Sequence, residues 1–186
     1  MLHFRSLPLF GIGILLGLFC LFPQSVDAKA PLAGLYSPEG KLIRQLPIPA
    51  GAHVTAADLG NDGVSEILVG SPAGSKPLVR LLRLDGSTIT KFPINNVKGN
   101  PAVYVTAGDV DGDGVKEIIV NFGSGPTPEI RVYTVDGKRL SAFLVVGKKF
   151  RGGTHVTVGD VNGDGKADIV TAPGQGGGSF VVTFSA

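Results

Sequence analysis

The sequence predicts an all-β chain made of repeated four-stranded antiparallel units, and three observations carry that expectation. First, the chain repeats itself without gaps every 51 residues. His53-Val-Thr, Tyr104-Val-Thr and His155-Val-Thr open three copies, Arg80 matches Arg131, and Asp85-Gly86 matches Asp136-Gly137. Second, each copy alternates β-branched runs with turn residues, and Asp-Gly between two apolar runs is a strong hairpin signal. Third, the chain holds Gly 28 and Pro 13 beside 43% hydrophobic residues, with Trp 0, and no stretch beyond the N-terminus carries helical periodicity. Four strands in a period of about 40–50 residues is the unit of a propeller blade.

Taken in order, the chain opens with a reading that is not structural. Arg5 precedes an apolar run from Leu7 to Phe22, and Val26 and Ala28 offer small residues before Lys29. This predicts a secretory signal over residues 1–28 and a secreted, extracellular or periplasmic protein with no membrane span after cleavage. Cys20, the lone cysteine, falls inside that segment behind the bulky Phe19, which argues against lipid anchoring. The mature chain would carry no disulfide.

Residues 29–52 read as the closing hairpin of a blade, with Leu35 to Pro38 and Lys41 to Ile48 flanking Glu39-Gly40. Repeat 1 occupies 53–103, repeat 2 104–154 and repeat 3 155–186. In repeat 2 the expected strands are Val103 to Ala107, Glu117 to Phe122, Ile130 to Val135 and Lys138 to Val145. Repeat 3 stops at a third strand, Phe180 to Phe184, and an N-terminal strand could supply its fourth. That gives two complete units and two partial ones. A closed ring needs at least four blades, so self-association into a homo-oligomer is the favoured completion, with an open stacked array or a fragment of a longer ancestor as the alternatives.

The formal charge is +2, too small a basic footprint to argue for nucleic acid. The carboxylates concentrate in one loop of each repeat. In Asp109-Val-Asp-Gly-Asp-Gly-Val-Lys-Glu117, alternate side chains at Asp109, Asp111 and Asp113 can converge on a point. Gly114 permits the turn that brings the Val115 carbonyl inward, and Glu117 returns from the next strand as a further oxygen. A shell of oxygens alone suits Ca2+ better than Mg2+, and the absence of His and Cys disfavours zinc and copper. The pattern recurs at residues 160–168 and, more weakly, at 58–66. An EF-hand would require a glutamate at position 12 and flanking helices. Position 12 is Val69, Val120 or Thr171, and the flanks are strand-like.

This Asp-x-Asp/Asn-x-Asp-Gly-x-x-Asp/Glu pattern between strands resembles the FG-GAP repeat of integrin α-subunit propellers, and is similar to the VCBS-type repeats of secreted bacterial proteins. Phe122-Gly123 keeps a trace of the name-giving motif, and the likeness spans roughly residues 34 to 186. It implies a calcium loop between the first and second strands of each blade. The implied ligands are Asp109, Asp111, Asp113, the Val115 carbonyl and Glu117 in the second loop. In the third they are Asp160, Asn162, Asp164, the Lys166 carbonyl and Asp168. The first loop has Gly60 in place of a carboxylate, leaving Asp58, Asp62, the Val64 carbonyl and Glu66. Occupancy is expected in the order second, third, first.

No nucleophile–base pair or acid–base carboxylate pair stands outside these loops, so the expectation is a non-enzymatic module. His53 and His155 share their repeat position with Tyr104, which favours packing over catalysis. The Gly-rich loops Ser71 to Pro77, Gly123 to Pro128 and Pro173 to Gly178 vary between repeats, as a surface for an extracellular protein or glycan partner would. A polysaccharide-acting enzyme and a degenerate propeller fragment are the alternative readings.

Overall fold

The computed structural model describes residues 33–125 and 128–185; the signal reading lies outside them. Thirteen strands and no helix make up these residues. They form four antiparallel sheets in chain order. The first pairs β1 (Ala33–Tyr36) with β2 (Leu42–Leu46). The second is the meander β3 (His53–Ala57), β4 (Glu66–Gly70), β5 (Leu78–Leu82), β6 (Thr88–Pro93). The third is β7 (Val103–Gly108), β8 (Glu117–Phe122), β9 (Glu129–Tyr133), β10 (Arg139–Leu144). The fourth has three strands, β11 (Thr154–Gly159), β12 (Asp168–Pro173) and β13 (Val182–Phe184). The expected all-β class and four-stranded units are therefore what the chain adopts. Among the described residues no sheet closes on itself, and β1 pairs with β2 and not with β13.

The sheets are blades because their second and third strands bury both faces. In β4, Ile67 and Val69 join Leu46, Ile48 and Leu82 in the core between the first and second sheets. Leu68 points the other way, into the core with Val79, Leu81, Val103, Ile118 and Val120 between the second and third sheets. The period-2 alternation of strand side chains makes this division automatic. β8 repeats it: Ile118, Val120 and Phe122 face back, whereas Ile119 faces forward with Ile130, Val132 and Ile169. All six residues of β8 are buried. The first strands run side by side, β3 against β7 and β7 against β11. This approach is close at Gly70, where a Cβ would lie 2.0 Å from the Val103 carbonyl oxygen, so no larger residue fits.

Two expected strands are shorter than their apolar runs. β9 ends at Tyr133 because the chain turns there by backbone hydrogen bonds from Thr134 N to Lys138 O and from Gly137 N to Thr134 O, a turn repeated at Arg83–Ser87 and Ser37–Lys41. β13 begins at Val182, which pairs with Thr171. Continuing the ladder would set Phe180 against Pro173, which has no N–H to give.

The meander fixes which loops share an end. The loops joining first to second strands and the tight turns joining third to fourth lie together at one end, here called the loop end. The Gly/Pro-rich loops and the linkers between blades lie at the other, the linker end. From the middle of the third strands, the matched arginines latch each blade to the linker before it. Arg80 donates to the Pro47 carbonyl. Arg131 donates to Asn95 O at 2.6 Å and Asn96 O at 3.1 Å, pairs with Glu129 at 3.0 Å and stacks over Phe122. The next seam is held by Asn121, whose side-chain amide donates to Thr154 O at 2.5 Å. At the linker end of the seam between the second and third sheets, the His53 and Tyr104 rings pack edge to face with centroids 3.9 Å apart. Their shared repeat position is a packing position, as expected, while His155 is exposed.

Two outcomes test these seams. Arg131→Met leaves two linker carbonyls and Glu129 without their donor, and should lower unfolding free energy by about 2–3 kcal/mol in urea denaturation. Arg80→Met, at a more exposed position, should cost less. Burial depresses the His53 pKa below its usual 6.5, so the folded state holds the ring neutral. The unfolded chain takes up that proton first, so stability should fall as pH drops below about 6.5 and level off below the folded value. His53→Phe should flatten that part of a melting-temperature-against-pH profile.

Candidate metal loops

Each acidic loop leaves the end of a first strand and re-enters at the start of a second, so the ladder itself holds its two ends. Gly108 pairs with Glu117, Ala57 with Glu66 and Gly159 with Asp168. Between them the backbone turns twice through the left-handed region, at positions 4 and 6 of each loop. These are Gly112 and Gly114 (φ 81° and 90°), Gly163 and Gly165 (81° and 89°), and Asn61 and Gly63 (53° and 84°). Asn is the non-glycine residue that best tolerates this conformation, which is why Asn61 can stand where the others have glycine.

Those turns point backbone N–H groups inward, and the carboxylates bind them. Asp109 accepts from Gly112 N at 2.7 Å and Gly114 N at 2.9 Å; Asp113 accepts from Val115 N and Glu117 from Val110 N. The third loop copies this geometry, with Asp160 accepting from Gly163 and Gly165, Asp164 from Lys166, and Asp168 from Val161. Asn162 takes the place of Asp111 and its oxygen accepts from Asp164 N. In the first loop Asp58 accepts instead from Asp62 and Gly63, Asp62 from Val64, and Glu66 from Leu59. Each carboxylate thus spends part of its oxygen capacity on the loop and is oriented by doing so.

The electrostatics show what these oxygens lack. Asp109, Asp111 and Glu117 place carboxylate oxygens within 4.8 Å of one another. Burial, and then the charges of Asp111, Asp113 and Asp109, push Glu117 above the usual carboxylate range although the Val110 N–H opposes them. Among the described residues, no lysine or arginine forms an ion pair with this cluster. In the third loop, Asp168 is 1% exposed and its Oδ1 has no hydrogen-bond partner. A buried carboxylate oxygen without a donor is costly unless a cation takes that place. Asp160, at the exposed rim, is held below the usual range by the Gly165 and Gly163 N–H groups. An oxygen donor set of this kind fits a hard divalent cation such as Ca2+. Among the described residues, only the second loop brings three acidic ligand candidates within 4.8 Å of one another, Asp109, Asp111 and Glu117; Asp113 and the carboxylates of the first and third loops do not form such a cluster. In the first, a Cβ on Gly60 would lie 3.7 Å from the Asp62 carboxyl carbon and 4.0 Å from Glu66 Oε1, so the missing carboxylate leaves its place beside the remaining two.

Two relations between loops were not legible in the sequence. The Lys116 ammonium donates to the Asp58 carbonyl at 2.9 Å, and the Ala167 N–H donates to the Asp109 carbonyl at 2.7 Å. Both donors stand at position 8 of one loop and both acceptors at position 1 of the loop before. Lys166 also lies along Gly112, where a Cβ would come within 3.0 Å of its methylenes. Repeat spacing aligns these positions but does not say that they touch. Beside the second loop, a groove of about 590 Å³ opens toward Ile89, Thr134 and Leu140.

Comparison with known proteins agrees with this geometry. Residues 58–120 match the FG-GAP-like repeat family, and residues 152–183 match the FG-GAP repeat family. The chain is also similar to the rhamnogalacturonan exolyase YesX of Bacillus subtilis (strain 168), at 26% identity over 162 residues. That alignment covers 74% of this chain and 26% of the relative, so the chain spans about a quarter of that protein's length. Repeats matched by two family descriptions, acidic loops between first and second strands, and blade-like sheets make this a β-propeller-type module. The chain belongs to the FG-GAP-type repeat proteins.

Proposed function

We propose that this protein is a secreted calcium-binding module in which the metal loops are structural and the Gly-rich loops at the linker end present a binding surface for an extracellular protein or glycan. The observation that carries the metal reading is the second loop, where oxygens of Asp109, Asp111 and Glu117 lie within 4.8 Å of one another and burial, with the neighbouring carboxylates, pushes the Glu117 pKa upward. Calcium bound there would neutralise that repulsion and fix the strand ends of β7 and β8. Its binding free energy would add to folding stability by linkage. Such an ion, enclosed by the loop, serves alignment and not substrate activation.

The second reading, a polysaccharide-acting enzyme, is favoured by the similarity to a rhamnogalacturonan exolyase. The carboxylates that could serve as acid and base are those in the metal loops, already engaged with loop N–H groups, which is why we rank the binding module first.

Isothermal titration of the metal-stripped protein should give calcium binding that is tightest in the second loop, then the third, then the first. Asp109→Ala should remove the tightest event, and chelation should lower the melting temperature. A first loop that proves tightest, or a melting temperature indifferent to chelator, would refute the proposal. Gly60→Asp restores the absent carboxylate at a residue with ordinary φ. It should tighten the first loop about tenfold, which is about 1.4 kcal/mol.

A further inference from the structure

The carboxylates of this chain are sorted by end. Of the carboxylates in the described residues, all but Glu129 lie at the loop end, in the metal loops or the tight turns at Glu39, Asp85 and Asp136. Glu129 is taken by Arg131. The loop end mixes its carboxylates with Lys41, Arg83, Lys116, Lys138, Arg139 and Lys166, whereas the linker end carries cations almost without carboxylates. Lys76, Lys98, Lys148, Lys149 and Arg151 stand there, all exposed, and none forms an ion pair among the described residues. The net charge of +2 hides this separation.

The segments bearing these cations are joined into one surface. Gly74 N donates to Asn100 O at 2.8 Å, which ties the loop carrying Lys76 to the linker carrying Lys98. Gly125 N donates to Arg151 O at 2.9 Å and Gly174 N to Gly153 O at 2.9 Å, which ties the linker carrying Lys148, Lys149 and Arg151 to the loops on either side. The Arg151 guanidinium also donates to Lys148 O and Phe150 O, bracing that linker from within. Gly-rich backbone lies between the cations, so an extended polymer can approach without side chains in its way.

We propose that the linker end binds an acidic polysaccharide, one bearing uronic acid carboxylates along an extended chain. This rests on the reading of the Gly-rich loops as a binding surface and names the polymer class they take. A few separate, exposed cations on linked segments match a polymer with carboxylates spaced by sugar rings. It does not match the dense phosphate charge of nucleic acid, about one per 1.7 Å of duplex. Exposed Phe180, where β13 leaves this end, adds an apolar face against which a sugar ring can rest.

The test is binding of the full secreted protein to a soluble, non-gelling oligogalacturonate, to its methyl-esterified form and to single-stranded DNA, at several salt concentrations. The expected result is binding to the free acid that weakens with salt, and little to the ester or DNA. The Lys148→Ala/Lys149→Ala pair should weaken it roughly tenfold with a shallower salt dependence. Lys138→Ala/Arg139→Ala, at the loop end, should leave it unchanged. Equal binding to the ester, or no effect of Lys148 and Lys149, would overturn the acidic class and leave the glycan surface standing. Preference for DNA would overturn the polymer class. No binding to either glycan would overturn this inference, while the calcium titration stands on its own readout.

Discussion

A blade of this protein has two apolar faces, and neither can be buried within its own sheet. β8 makes the point most fully: Ile118 and Val120 need the second blade, and Ile119 needs the fourth sheet. The cooperative unit is therefore the seam between sheets and not the sheet, and stability is a sum over neighbours along the array. The latches follow from this. A seam of interdigitated Val, Ile and Leu supplies area but little direction. Arg131, Asn121 and the linker hydrogen bonds supply the register.

The acidic loops depend on the same packing. Their ends are set by ladder pairs whose strands are held from both sides, so the loop backbone cannot relax outward to separate its carboxylates. Burial of Glu117 and Asp168 at the first position of a buried strand is what raises the one's proton affinity and leaves the other's Oδ1 without a donor. The fold concentrates negative charge where its own core requires a rigid strand start, and a divalent cation is the natural counterweight.

Much of this was readable from residues. The 51-residue period located the repeats, and the alternation of β-branched residues located the strands to within one or two positions. The carboxylate spacing located the loops. What escaped is instructive. The truncation of β9 came from a backbone turn common to the hairpins and that of β13 from one proline, local chemistry that hydrophobic pattern does not register. The link from Lys116 to Asp58 lies 58 residues away in sequence and depends on the angle between blades, which no repeat alignment contains. The separation of charge between ends was legible only in part. Lys and Arg could be seen outside the acidic loops, but their end of the molecule follows from strand direction.

The position-8 hydrogen bonds join loops at the top of two seams, and Arg131 and Asn121 hold the same two seams further down. A joint pinned at two separate points along its axis has lost its freedom to open like a book. The rotation from one blade to the next is then a fixed angular increment. The curvature of the whole arc, and hence how many blades would bring it round to meet itself, is written at each joint by a pair of hydrogen bonds.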